Sequence, residues 1–138
     1  MAAVEQLVSA RVPTRWINQM EGQLDDAERR LASADAQLAA EAGGRALEEV
    51  YPGVMGAAMV RVWLTDEPWH TTRSLADMSR LVREALPSGF QALFEMKSEQ
   101  RSFAGWRAED ARPLVEEART FVASVRAEVE RCKAPPTA

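Results

Sequence analysis

TRWINQMEGQLDDAERRLASADAQLAAEAGG, Thr14 to Gly44, carries the pattern that decides the fold. Ile17, Leu24, Leu31 and Leu38 recur every seven residues, and Met20, Ala27 and Ala34 fill the three-and-four spacing between them. That spacing draws one apolar stripe down an amphipathic helix. Asp25, Asp26, Glu28, Arg29 and Arg30 take the other face. Gly43 and Gly44 read as a stop signal, because glycine accepts left-handed backbone at a helix end.

Upstream, residues 1–13 read as a lead-in or a short helix ended by Pro13. Downstream, a second helix is expected from Arg45 to Leu64, apolar nearly all round through Leu47, Val50, Val54, Met55, Met59, Val62 and Trp63. A helix of that kind is the buried centre of a bundle. Pro52 removes one backbone donor inside it, which predicts a kink or a restart. Gly53, Gly56, Ala57 and Ala58 leave room for a neighbouring helix. Ser74 followed by Asp77 resembles a capping box opening a third helix, with Leu75, Met78, Leu81, Val82 and Ala85 on its apolar face. A fourth helix carries Phe90, Leu93 and Phe94 and fades near Gly105. The last opens with Glu109 and Asp110, acids suited to the positive end of a helix, and its apolar face runs from Leu114 through Phe121 and Val125 to Val129. The expected architecture is all-α: an up-and-down bundle of four to five antiparallel helices. The domain would span residues 14–133, with a disordered tail at 134–138.

Composition narrows the function classes. The 138 residues carry a formal charge of -4 at pH 7, against the basic footprint of a non-specific nucleic-acid binder. Cys132 is the only cysteine and His70 the only histidine, so neither an intrachain disulfide nor a cysteine- or histidine-rich metal site can form. No glycine-rich phosphate loop occurs, and no cofactor is expected. Adjacent carboxylates such as Glu48–Glu49 and Glu116–Glu117 diverge on a helix and do not face each other. No apolar run is long enough to span a bilayer, and the N-terminus has no secretory pattern, which points to a cytoplasmic protein.

One segment stands out against the acidic background. Residues 97–107 read KSEQRSFAGWR, placing Lys97, Arg101 and Arg107 around Phe103 and Trp106. On a continuing helix Lys97 and Arg101 share a face. Guanidinium groups hold phosphate and an indole stacks on a base, so Lys97, Arg101, Trp106 and Arg107 are candidate nucleotide- or RNA-binding residues. The competing reading pairs Arg101 with acids of the last helix, such as Glu109. Arg61 and His70 are weaker candidates.

From here the chain resembles the HEPN superfamily, small helical domains of prokaryotic toxins and nucleotidyltransferase partners. The resemblance runs from about Trp16 to Val129. It rests on Arg45-Ala-Leu-Glu-Glu-Val-Tyr51, on His70-Thr-Thr-Arg-Ser-Leu75, and on Arg101-Ser-Phe-Ala-Gly-Trp106 followed by Glu109-Asp110-Ala and the Phe121-Val122 helix. HEPN ribonucleases set an arginine and a nearby histidine across a homodimer, the histidine serving as general acid or base. Arg101 matches the motif arginine, and Trp106 stands where the histidine would be. An indole exchanges no proton near neutral pH. The resemblance thus implies a homodimer without an intact nuclease motif, one that binds a nucleotide, RNA or a nucleotidyltransferase partner of a toxin–antitoxin pair. A surplus of apolar surface on the second helix points to the same dimer. Two further readings are a ribonuclease toxin with relocated residues, using Arg61 and His70, and a plain interaction bundle without ligand.

Overall fold

The computed structural model describes residues 12–70 and 72–133. Most of the expected lead-in and all of the expected tail lie outside the described residues. Five helices follow in order: α1 (Thr14–Ala39), α2 (Gly43–Asp66), α3 (Leu75–Ala85), α4 (Ser88–Ser98) and α5 (Ala108–Lys133), with no strand among the described residues. The all-α expectation holds, and the Val60–Leu64 stretch is helical.

Three long helices make the core. The stripe that runs down α1, Ile17, Met20, Leu24, Ala27, Leu31, Ala34 and Leu38, is buried throughout. Its partners are Leu47, Val50, Val54, Ala57 and Val60 of α2, and Val115, Ala118, Val122, Val125 and Val129 of α5. Leu24, Leu47 and Val125 have no exposed surface. Burial of each such side chain contributes about 1.5–3 kcal/mol relative to leaving it in water.

Contacts fix the register. Between α1 and α2 they run in opposite chain order: Arg30 to Glu49, Ala27 beside Gly53, Gln23 beside Gly56, Trp16 against Trp63. A Cβ on Gly53 would stand 3.0 Å from the Cα of Ala27, so this small residue does set a close approach of the two backbones. Between α1 and α5 an ionic ladder repeats at heptad spacing: Asp35 to Arg119 (2.6 Å), Glu28 to Arg126 (2.9 Å) and Glu21 to Lys133 (2.6 Å). Hydrogen bonds donated to Glu28 and then to Asp25 raise the Arg126 guanidinium further above its usual range. By contrast α2 and α5 run in the same sense, Gly43 lying against Arg107 and Arg61 against Glu128.

The helix ends depart from the sequence reading. Gly43 and Gly44 do not stop α1; they begin α2. The turn is Ala40–Ala42, with Glu41 at φ 59° and the Ala42 N–H donating to the Gln37 carbonyl (2.8 Å). That is a Schellman closure with glutamate where glycine is usual. The glycine pair serves a different need: Cβ atoms there would strike the Phe103, Trp106 and Arg107 backbone. Pro52 is exposed and causes no restart, because α2 runs unbroken through it.

The short helices cover the core less completely. Ser74 Oγ accepts from the Asp77 N–H (3.1 Å), the expected cap of α3. Within α3, however, only Val82 is buried, and Leu75 is 87% exposed at the first position instead of joining the apolar face. The apolar surplus expected on α2 is largely taken up inside the chain, where Tyr51, Met55, Met59 and Trp63 pack half-buried on the core. None of the described helices is long and apolar enough to cross a membrane.

Candidate functional site around the α4–α5 loop

Helix α4 ends earlier than its sequence suggests. Gln100 adopts φ 60°, and the Arg101 N–H donates to the Met96 carbonyl (2.9 Å). Arg101 therefore lies past a second Schellman closure, not on a helix face shared with Lys97. Gly105, at φ 89°, turns the chain again just before Trp106, and α5 begins at Ala108.

The four expected site residues separate into two groups. Lys97 belongs to the scaffold. Its ammonium bridges both carboxylate oxygens of Glu48 on α2 (3.1 Å each) and sits 4.5 Å from the Phe103 ring centroid. Phe103 is fully buried and meets Tyr51 edge-on, 5.7 Å between centroids, so it is a core residue and no part of an aromatic surface. Burial raises the Tyr51 hydroxyl above its ordinary range.

Arg101, Trp106 and Arg107 stay together on the loop. Arg101 and Arg107 are exposed, each beside a local acid: Glu99 at 3.6 Å and Glu109 at 3.0 Å. The expected alternative had Arg101 pairing with Glu109, the role that Arg107 fills. Trp106 is half-buried, packed on the core along one side. With Ala104, Gly105, Leu114 and Asp110 it lines an open concavity of about 700 Å³.

Asp110 is the functional candidate that the sequence reading passed over as a helix-end acid. Its backbone N–H donates to the Arg107 carbonyl (3.1 Å), yet its exposed carboxylate has no ion pair and no side-chain hydrogen bond among the described residues. Lacking a partner while lining the concavity singles it out, and that is invisible before the neighbours are placed.

The weaker candidates lie elsewhere. Arg61 is fixed between helices: Nη2 reaches Glu128 (2.8 Å) and Ser124 (2.9 Å), and the guanidinium lies 4.8 Å from the Phe121 ring centroid. His70 is exposed at the far end of α2, its backbone N–H donating to Glu67 (2.9 Å) and its ring 6.1 Å from that of Trp69. Gly43 touches the Trp106 loop and Trp63 marks the His70 end. At 1.5 Å per helical residue those two points of α2 are roughly 30 Å apart. Trp16, Trp63 and Trp69 cluster at this end, and the indole N–H groups of Trp16 and Trp69 are buried with no hydrogen-bond partner among the described residues.

Among the described residues no group of three or more histidine, cysteine, aspartate or glutamate side chains is placed to hold a metal ion. Searches of protein-family models, curated proteins and solved structures return no match to this chain.

Proposed function

We propose that this chain is a HEPN-like helical bundle that works by binding a partner protein and performs no RNA cleavage of its own. One observation carries the reading: among the described residues no histidine, the general acid or base of the HEPN ribonucleases, stands beside Arg101. Trp106 occupies the position of the motif histidine. His70 sits at the other end of α2, roughly 30 Å away. General acid–base catalysis needs such a group within hydrogen-bond reach of the reacting proton. Arg61, the relocated arginine of the ribonuclease alternative, is committed to Glu128 and Ser124.

The partner class that the HEPN resemblance implies is a small nucleotidyltransferase, with the bundle itself forming a homodimer. The test is co-expression with a nucleotidyltransferase encoded beside the gene, followed by size-exclusion chromatography with light scattering. The expected result is a stoichiometric complex, lost on Trp106→Asp, together with RNA left intact by the purified chain. RNA cleavage abolished by Arg101→Ala or His70→Ala would overturn the proposal and favour the toxin reading. A nucleotide that saturates the tryptophan signal, with no protein complex formed, favours nucleotide binding instead.

A further inference from the structure

The concavity beside Trp106 combines three properties. Its lining is mixed, with apolar surface from Ala104, Leu114 and the half-buried indole beside at least as much polar surface. The two arginines of the same loop already have acidic partners, Arg101 with Glu99 and Arg107 with Glu109. Its one unmatched charge is the Asp110 carboxylate, in the first turn of α5. Arg112, the next cation along α5, has no ion pair among the described residues either. Two helical positions separate it from Asp110, so the two side chains point away from each other.

We propose that this concavity receives an arginine side chain presented by a partner protein; the proposal rests on the partner-binding reading above. Charge complementarity selects a cation over an anion here, since a phosphate would have to displace Glu99 or Glu109 and still lie near Asp110. The aromatic wall selects guanidinium over ammonium. A planar, weakly hydrated guanidinium stacks on an indole and offers a carboxylate two parallel N–H donors. An ammonium is a strongly hydrated point charge and gains less from the same surface. The sequence-level expectation of a phosphate site on Arg101 and Arg107 is thereby replaced, at this concavity, by a site of opposite sign.

The test uses the ¹⁵N-labelled chain, whose four tryptophans give four separate indole N–H resonances; Trp106→Phe assigns the one that matters. The probe is the blocked tripeptide acetyl-Gly-Arg-Gly-amide. Its controls are the citrulline counterpart, which keeps the shape and loses the charge, and adenosine and guanosine monophosphates. The expected result is a saturable shift of the Trp106 resonance alone, with a dissociation constant on the order of millimolar. Citrulline should bind at least about tenfold more weakly, as should the Asp110→Asn chain, while Asp110→Glu retains most of the response. Asp110 is exposed, and thermal melts of both variants establish that they fold.

Equal binding of arginine and citrulline overturns the proposal. So does undiminished binding by Asp110→Asn, or no shift up to about 50 mM peptide. Saturation by a nucleotide monophosphate without a response to the arginine peptide replaces the proposed partner chemistry with a phosphate ligand. A stoichiometric protein complex that survives Asp110→Asn removes this inference and leaves the partner-binding reading in place.

Discussion

Replacing Gly43 with alanine drives a methyl group into the backbone of the α4–α5 loop. Its Cβ would stand 2.5 Å from the Arg107 carbonyl oxygen and 2.6 Å from that of Trp106, with the Arg107 carbonyl carbon closer still. Carbon atoms in ordinary contact sit about 3.5 Å or more from their neighbours, so the loop or the helix start must yield by about 1 Å. All three obstructing atoms are backbone, and no flexible side chain can absorb the shift. Overpacking of this size costs about 1–3 kcal/mol, against which alanine's better helix propensity returns at most about 1 kcal/mol. Gly22, about a third of the way along α1, supplies the control: nothing lies within 4 Å of its notional Cβ. Gly22→Ala is therefore expected to stabilise the chain by about 0.5–1 kcal/mol, and Gly43→Ala to destabilise it by about 1–2 kcal/mol. Urea denaturation followed by tryptophan fluorescence reads both, as opposite shifts of the midpoint at an unchanged slope. If Gly43→Ala stabilises as Gly22→Ala does, the α2 start does not abut the loop, and the described site loses its back wall.

Three further outcomes follow from the same structure. Glu41 and Gln100 hold left-handed backbone at helix ends where glycine is the unstrained choice; Glu41→Gly and Gln100→Gly should each raise stability by about 0.5–1 kcal/mol in the urea assay, and a loss of stability from either would contradict the assigned closures. Arg126 spans Glu28 and Asp25 with its side chain 22% exposed; Arg126→Gln should cost about 1 kcal/mol at low salt and less in 1 M NaCl, whereas a salt-independent loss would point to packing instead. Tyr51 is the single tyrosine, and burial raises its ionisation above the ordinary value of 10.0. Its neutral form is favoured in the fold, so this contribution to stability is complete below pH 10 and is lost as pH rises through the folded-state value. Phenolate absorbance should therefore titrate later in the native chain than in urea, and coincident curves would place the hydroxyl in water.

The long helices were legible in the sequence because burial leaves a periodic record. The α1 stripe predicted from seven-residue recurrence is the set of residues that the fold buries, and Val122, Val125 and Val129 do the same for α5. Helix ends leave a poorer record. Three of them close on Glu41, Glu67 and Gln100, whose left-handed backbone has no glycine signature, while the glycines that looked like a terminator serve a close approach set by residues about sixty positions later. A local rule identifies which residues tolerate a conformation, not which tertiary demand a given residue meets. Leu75 shows the same limit: it has the right spacing for a buried face, but it lies at the first position of α3, beyond the reach of the core.

The site was half legible for a related reason. Composition marks the aromatic and the arginines, since KSEQRSFAGWR stands out in an acidic chain. What decides their chemistry is pairing. Lys97 is withdrawn by Glu48, forty-nine positions away in sequence, and Arg61 by Glu128, sixty-seven away. Such pairs form only after α2 has settled against α4 and α5. Along the length of the bundle the α1–α5 ladder matches acid to base at each heptad, so that face offers a ligand little unbalanced charge. The α4–α5 end differs in kind. A carboxylate without a partner among the described residues lies next to a half-buried indole. Pairing has cancelled much of the positive charge that composition alone assigned to the segment, and a ligand must answer to the charge left over, not to the charge counted.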